Sequence, residues 1–209
     1  MFEIRIHGRG GQGVVTAAEL LSIAAFREGR HAQAFPSFGS ERTGAPVLAF
    51  CRIDDKPIRS REPIARPDAL IIQDPTLLLM EGIFTGLRSE GFVLINSKKT
   101  PTELGLSSLE HKLPEGHIIT VPASDLAMKF IGRPIPNAAL LGAFAALTGV
   151  IGINAISLAI REKFSGVIAE NNILAATAAS EAARQEKVDE IEMLHAEKRE
   201  AANLQEEIC

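Results

Sequence analysis

The chain has 209 residues, 46% of them apolar, which suffices for one large domain with a sizeable core, or one domain with an appendage. Its 22 basic and 26 acidic residues give a net charge of −4, which argues against a nucleic-acid-binding protein. Two widely separated cysteines, Cys51 and Cys209, form neither a disulfide framework nor a C-x-x-C motif. We therefore expect no iron–sulfur cluster on this chain and a cytoplasmic location. The charged, alternating start predicts no signal peptide.

A glycine-rich segment, GRGGQG at residues 8–13, follows a strand-like run and precedes a helical pattern that begins at Val14. Such glycines let another backbone approach closely, and the helix that follows aims its first free N–H groups at an anion. Gly8, Gly10 and Gly13 also match the G-x-G-x-x-G pattern of dinucleotide-binding folds. The segment indicates either a cofactor site or a backbone surface that meets another protein.

The dinucleotide fingerprint is incomplete in this sequence. It requires an acidic residue about twenty positions on, at the end of the second strand, to hold a ribose hydroxyl. The second extended segment, His31–Phe35, is followed by Pro36 and carries no acid, and Glu28 lies inside the predicted helix. Gln12 is an unusual insertion in the loop. The sequence therefore disfavours a classical NAD site.

A second loop, residues 36–46, is bracketed by prolines and contains the charged pair Glu41 and Arg42. Long loops inside compact domains are usually functional. The two side chains either form an internal ion pair that fixes the loop, or they contact a neighbouring subunit or an anionic ligand.

The remaining pattern alternates strands with helices and predicts a three-layer α/β/α fold with a mainly parallel, mixed sheet and a C-terminal helical extension. The turn chemistry at residues 54–57 predicts a β-hairpin. The predicted strands are Val47–Ile53 with a hairpin partner from Ile58, Ala69–Ile72, Phe92–Asn96 and Ile118–Val121. The predicted helices are Val14–Glu28, Thr76–Arg88, Asp125–Ile131 capped by Ser124, one from a cap at Asn137 to Thr148, and one from a cap at Asn154 to Phe164. Residues 97–115 are expected to be irregular.

One stretch without charge, residues 134–160, is long enough to span a bilayer. It begins with two prolines and is interrupted by glycines at residues 149–152, so two buried helices separated by a break fit better. No membrane span is expected.

The composition changes after Ala183, where the chain becomes dense in Glu and Lys. A sparse apolar stripe predicts a helix that needs a surface to lie on. That surface is either its own domain or a partner chain. If deletion of the residues after Ala183 left the subunit composition of the complex unchanged, the partner-chain hypothesis would be contradicted. We divide the chain into a domain of residues 1–183 and a charged helix of residues 184–209, interpreted as a subunit-docking arm. The stripe consists of Val188, Ile191, Leu194, Ala201, Leu204 and Ile208.

Catalytic chemistry finds little support in the residue pattern. The five histidines show no metal-ligand spacing, and Ser37 and Ser40 have no nucleophile motif around them. His7 is the best placed histidine, but it is more typical of loop support than of a base. Cys51 is more typical of an inert core residue. Four arginines form either a phosphate patch or exposed strand faces: Arg52, Arg59, Arg61 and Arg66. We predict no catalytic and no metal-ligating residue.

Five motifs in collinear order resemble the γ subunit of 2-oxoacid:acceptor oxidoreductases of the pyruvate:ferredoxin oxidoreductase type. They are GRGGQGVVTAAELL, AFPSFGSERTGAPV, KPIRSREPI, PDALIIQDPTLL and NAALLGAF. The resemblance runs from about residue 3 to about residue 175, and residues 35–47 are its most specific part.

The resemblance implies a non-catalytic subunit of an enzyme that oxidatively decarboxylates a 2-oxoacid such as pyruvate or an aryl-2-oxoacid. Thiamine pyrophosphate, Mg²⁺ and [4Fe-4S] clusters would lie on α, β and ferredoxin-like δ partner chains. Coenzyme A would be the usual co-substrate, and ferredoxin or another acceptor would take the electrons.

By the same resemblance, eleven residues would face a partner chain or a ligand. They are Gly8, Gly10, Gly11, Gln12, Gly13, Ser37, Gly39, Glu41, Arg42, Gly44 and Asn137. The competing hypotheses are a stand-alone Rossmann-like nucleotide-binding module and, more weakly, a membrane-anchored protein.

Overall fold

The computed structural model describes residues 1–37 and 44–208, with side chains described for residues 1–37, 44–189, 191, 192 and 195. The strands are β1 Phe2–Arg9, β2 His31–Pro36, β3 Pro46–Asp54, β4 Ala69–Ile72, β5 Phe92–Asn96 and β6 Ile118–Val121. The α-helices are α1 Val14–Arg27, α2 Ser107–Glu110, α3 Ala123–Ile131, α4 Asn137–Thr148, α5 Ile153–Lys163 and α6 Gly166–Ile208. A short 3₁₀ helix covers Pro75–Leu79.

The six strands form one mixed sheet in the order β2-β3-β1-β4-β5-β6. Strands β1, β4, β5 and β6 are parallel, whereas β3 lies between β1 and β2 and is antiparallel to both. The predicted three-layer fold with a mixed sheet is confirmed, but the predicted hairpin at residue 58 is wrong. The chain after β3 stays irregular because Arg52 donates hydrogen bonds to the backbone carbonyls of Ser60 and Glu62 and holds this segment across the sheet.

The two faces of the sheet are covered differently. One face packs against α1, α3, α4, α5 and α6 in the larger core, where the aliphatic side chains of β1, β3 and β4 meet alanine-rich helix surfaces. The other face is covered by the 3₁₀ helix, by α2 and by the turns between them, through side chains such as Leu77, Ile83 and Leu113. The helical face is therefore the thicker layer.

The predicted helix Thr76–Arg88 is wrong beyond its first turn. Asp74 accepts a hydrogen bond from the backbone N–H of Thr76, which starts the 3₁₀ helix, but that helix ends at Leu79. Gly82 and Gly86 adopt positive φ values of 80° and 79°, which a right-handed helix cannot include. Turns and irregular backbone therefore replace the predicted helix from Met80 to Arg88.

The helices predicted between residues 123 and 164 exist, but their predicted caps are wrong. Pro122, Pro136 and Gly152 occupy the N-cap positions of α3, α4 and α5. Asn137 is the first residue of α4, where its Oδ1 accepts a hydrogen bond from the N–H of Ala138 at 2.7 Å. The uncharged stretch forms α4 and α5 with the predicted break, and none of the described helices is long and apolar enough to cross a membrane.

Helix α6 runs without interruption through the proposed boundary at residues 183/184. Its first half packs closely on α4, since a Cβ at Gly142 would come within 1.8 Å of the Ala176 carbonyl oxygen. Further along, Glu186 accepts a hydrogen bond from the Thr120 hydroxyl, and His195 pairs with Glu115 at 2.9 Å. The helix therefore contacts its own domain as far as His195.

Candidate functional site

The carboxyl ends of β1 and β4 are the place where this topology would put a ligand. From β1 the chain crosses through α1 to β2 on one side, and it later continues through β4 on the other side. In open α/β sheets, ligands bind at the crevice where the strand order reverses in this way. The glycine segment borders this crevice on one side and Gln73 and Asp74 border it on the other.

Side chains of the protein itself fill this crevice. The Arg9 backbone N–H donates to Gln12 Oε1 at 2.8 Å, and Gln12 Nε2 donates to Asp74 Oδ2 at 2.9 Å. The Arg9 guanidinium lies 3.2 Å from the same Asp74 oxygen and donates to the Thr76 hydroxyl and the Gly44 carbonyl. Thr76 in turn donates to Asp74 Oδ1 at 2.6 Å. We call Arg9, Gln12, Asp74 and Thr76 the switch-point network.

The network keeps Asp74 ionised. Burial by itself raises the pKa of the Asp74 carboxyl, but hydrogen bonds from Thr76 and Gln12 together with the charge of Arg9 outweigh burial and lower it. Because both carboxylate oxygens have internal donors, Asp74 is poorly suited to accept a ribose hydroxyl or to bind a metal ion.

The two loops singled out in the sequence meet at this edge. The Gly10 N–H donates to the Ala45 carbonyl at 2.9 Å, and the Gly44 N–H donates to the Gly10 carbonyl at 3.2 Å. Ser37 extends the pairing of β2 with β3, since its N–H donates to the Leu48 carbonyl at 2.8 Å. Three predicted site residues lie outside the described residues, namely Gly39, Glu41 and Arg42.

Two of the fingerprint glycines serve internal packing. A Cβ at Gly8 would lie 2.6 Å from Val14 Cγ2, so a side chain there would displace the start of α1. Gly13 has a φ of 75°, and a Cβ there would lie 2.5 Å from the Asn137 side-chain amide. Gly11 also has a positive φ, but a Cβ there would have no neighbour within 4 Å. The glycines thus let α1, β1 and α4 come together, rather than forming a phosphate cradle.

A cavity of about 490 Å³ lies next to the glycine segment, on the helical face. Gly11, Gly13 and Asn137 border it, so three of the predicted site residues share one wall. Its other walls come from the end of α3, the end of α5 and the first turns of α6. We call it the helix-terminus cavity.

The structure does not bring the four arginines into one patch. Arg52 is buried and forms an ion pair of 2.9 Å with Glu3, while Arg59, Arg61 and Arg66 lie exposed on the irregular segment after β3. A phosphate patch is therefore unsupported.

Cys51 is buried and His7 is half-buried, and both lie in positions unsuited to catalysis. Burial, with a smaller contribution from the Arg5 charge, lowers the pKa of His7 to about 4. Burial raises the pKa of the Cys51 thiol to about 12, so this cysteine remains protonated in the core. Iron–sulfur clusters need thiolate ligands, which Cys51 does not supply. Among the residues that the structure describes, no cluster of three His, Cys, Asp or Glu side chains could hold a metal ion.

Sequence reasoning missed Asp74 and Thr76, which complete the switch-point network. Their signal was present in the motif Asp74-Pro75-Thr76, since an Asp before a proline at the first helical position is a typical N-cap. What could not be seen is that Gln12, 62 positions away, donates to the same carboxylate.

Comparison with known proteins identifies this architecture as that of an oxidoreductase subunit. The family model for pyruvate ferredoxin/flavodoxin oxidoreductase matches residues 3–182, and the chain belongs to this family.

Within the family, the chain matches gamma-type subunits along most of their length. It is 48% identical to the pyruvate/ketoisovalerate oxidoreductases common subunit gamma of Thermococcus kodakarensis, over 84% of this chain and 94% of that protein. It is 50% identical to the pyruvate synthase subunit PorC of Methanosarcina barkeri, over 77% of this chain and 85% of that protein. The crystal structure of pyruvate oxidoreductase subunit PORC from Thermotoga maritima superposes with a TM-score of 0.72 at 37% identity, covering 86% and 95% of the two chains. The resemblance inferred from the sequence motifs is confirmed.

Proposed function

We propose that this chain is the gamma subunit of a cytoplasmic complex that oxidatively decarboxylates a 2-oxoacid, such as pyruvate or an aryl-2-oxoacid. Thiamine pyrophosphate with Mg²⁺ and [4Fe-4S] clusters reside on α, β and δ partner chains. Coenzyme A accepts the acyl group, and ferredoxin or another acceptor takes the electrons. The chain's own role is to present a rigid surface to the thiamine-binding chains and to the coenzyme A side of their site.

The filled crevice carries this proposal. A nucleotide-binding domain needs an open crevice and a free acid at the second strand. Here antiparallel β3 occupies the position beside β1, and the switch-point network occupies the crevice. The alternative of a stand-alone dinucleotide-binding module is not supported.

Exposed apolar side chains beside the network fit a surface that another protein covers. Leu79, at the end of the 3₁₀ helix, is 91% exposed, and its neighbour Met80 is 47% exposed. They lie at the end of the 3₁₀ helix that Asp74 caps at its start. An apolar centre with charged groups around it is the usual composition of a protein–protein interface.

The charged end of α6, residues 184–209, is proposed to be a docking arm for a further subunit. Its apolar stripe is sparse, so a helix of this composition is stable only when it lies on a surface, and its own domain provides one as far as His195. The family match ends at residue 182, and the arm lies beyond it. We therefore assign the arm to an assembly contact that is particular to this chain's complex.

Anaerobic purification of the tagged chain from its own host tests the subunit role. We expect partner chains to co-purify, a brown cluster absorbance, and viologen reduction that depends on one 2-oxoacid, which would identify the substrate. A colourless chain that purifies alone and takes up NAD would contradict the proposal.

A further inference from the structure

The helix-terminus cavity combines three helix N-termini with an apolar wall. The first turns of α1, α4 and α6 border it, and none of these turns contains an acidic residue. Helix α1 has no side-chain cap, so its first N–H groups lack intrahelical acceptors, whereas in α4 the Ala138 N–H donates to Asn137 Oδ1. The partial positive charge of helix N-termini favours a bound anion.

Charged and partially charged groups of both signs border the cavity. Helices α3 and α5 end at the cavity and contribute partial negative charge, which Lys163 in the last turn of α5 offsets. Lys163 is already paired with Glu19 at 2.8 Å. Arg133 also lines the cavity, and within the described residues it has no carboxylate partner. Arg133, which is exposed, is therefore the cation available to an anion in the cavity.

Two buried amides leave polar atoms unused at the cavity wall. Asn137 and Asn172 are each 5% exposed and both border the cavity. Asn137 Oδ1 accepts from the Ala138 N–H, but its Nδ2 has no hydrogen-bond partner among the described residues. Asn172 Nδ2 donates to the Ile168 carbonyl, whereas Asn172 Oδ1 has no hydrogen-bond partner among the described residues. Neither of these two atoms is among the fully enclosed, unpartnered polar atoms of the described residues, so both are open to the cavity, where water or a ligand can complete them.

The rest of the wall is aliphatic and aromatic. Four apolar side chains surround the polar groups: Ile131, Ile135, Phe164 and Ile168. A polyphosphate would bring more charge than one free arginine balances, and it would gain nothing from this wall. A volume of about 490 Å³ is within the range of small-molecule sites.

We propose that this cavity binds a small aliphatic monocarboxylate. The carboxylate accepts hydrogen bonds from the first N–H groups of α1, from Asn137 Nδ2 and from the Arg133 guanidinium. The alkyl group lies against the isoleucines and Phe164. This site is separate from the switch-point network and does not depend on the subunit role proposed above.

Isoleucine-methyl NMR of the full 209-residue chain tests the proposal. Butyrate is titrated as the probe, and its neutral isostere butyramide, inorganic phosphate and coenzyme A are titrated in parallel. Butyrate is expected to shift the methyl signals of Ile131, Ile135 and Ile168 while leaving buried Ile119 in place, because Ile119 lies in β6 away from the cavity. Butyramide is expected to bind about tenfold more weakly, because it lacks the charge.

Arg133→Gln is expected to weaken butyrate binding about tenfold, because it removes the free cation from an exposed loop position. Lys112→Gln, the same change of charge on the other face of the sheet, is expected to leave the affinity unchanged. Equal binding of butyrate and butyramide would overturn the proposal. So would binding of phosphate as tight as that of butyrate, an unchanged affinity in the Arg133 variant, or coenzyme A shifting these methyl signals when butyrate does not.

Discussion

Gln12 and Asp74 are joined by a hydrogen bond of 2.9 Å that ties the end of β1 to the end of β4. This bond lies where a doubly wound fold would hold its cofactor. Gln12 and Asp74 are therefore hydrogen-bonded to each other at the position where a nucleotide would bind.

Gln12→Leu should destabilise the chain by about 1–3 kcal/mol, because it leaves the Arg9 N–H without an acceptor and leaves Asp74 Oδ2 with the Arg9 guanidinium alone. Urea denaturation at neutral pH measures the loss. Gln185→Leu is the matched control, since Gln185 also donates to an aspartate, Asp189, but on the exposed surface of α6. Equal, small losses in both variants would show that the network contributes no more than a surface hydrogen bond.

The stability of the chain should fall by about 3 kcal/mol as the pH drops from 6.5 to about 4, through His7 alone. The pKa of His7 is lower in the folded state, so the unfolded chain binds a proton in this range and the folded chain does not. His7→Leu should remove this part of the pH dependence, as measured by urea denaturation across the range. His111→Leu is the control, because His111 is exposed, and this variant should retain the pH dependence of the wild-type chain. If the stability of the His7 variant fell with pH as steeply as that of the wild-type chain, His7 would not be the group responsible.

Gly13→Ala should destabilise the chain more than Gly11→Ala. Both glycines have positive φ, so both variants carry a backbone strain of about 1–2 kcal/mol. Only at Gly13 would the new methyl group overlap a neighbour, the Asn137 amide at 2.5 Å, while Gly11 has nothing within 4 Å. The difference between the two thermal unfolding curves therefore measures the packing of α1 on α4. Equal curves would mean that the Asn137 side chain moves aside freely.

Leu79→Asp should remove the thiamine-binding chains from the purified complex without lowering the melting temperature of this chain. The reason is that Leu79 is almost fully exposed in the isolated chain and has no internal packing to lose. Phe26→Asp is the matched control, because Phe26 is also exposed, at 72%, but lies at the far end of α1. Affinity purification followed by identification of the co-purified chains gives the readout. Unchanged composition in the Leu79 variant would place the interface elsewhere.

A chain that ends at residue 195 should keep its stability but lose one subunit of the complex, if residues 184–209 form a docking arm. Ending the chain at residue 183 is a less clean test, because it also removes the contacts of Glu186 with Thr120 and of His195 with Glu115. Native mass spectrometry of the two purified complexes compares their subunits. Full composition in the complex whose chain ends at residue 195 would exclude residues 196–209 as the contact.

The sequence by itself determined the class of fold, the order of nearly all its elements and the family. Aliphatic strands such as Ala69–Ile72 and Phe92–Asn96 are buried on both faces, and this leaves a continuous apolar run that local pattern reading detects. The break between α4 and α5 was visible for a similar reason, since a helix ends where Gly149 adopts positive φ.

Only the tertiary structure decided how these elements use their polar residues. The predicted hairpin failed because Arg52 holds residues 60–62 through backbone carbonyls, and the predicted helix at Thr76 failed because Gly82 and Gly86 turn the chain. The filled crevice depends on Gln12 meeting Asp74, and the helix-terminus cavity depends on α1, α4 and α6 beginning at one place. These pairings join residues far apart in the chain, and their free energy depends on desolvation and geometry that no local pattern of residues carries.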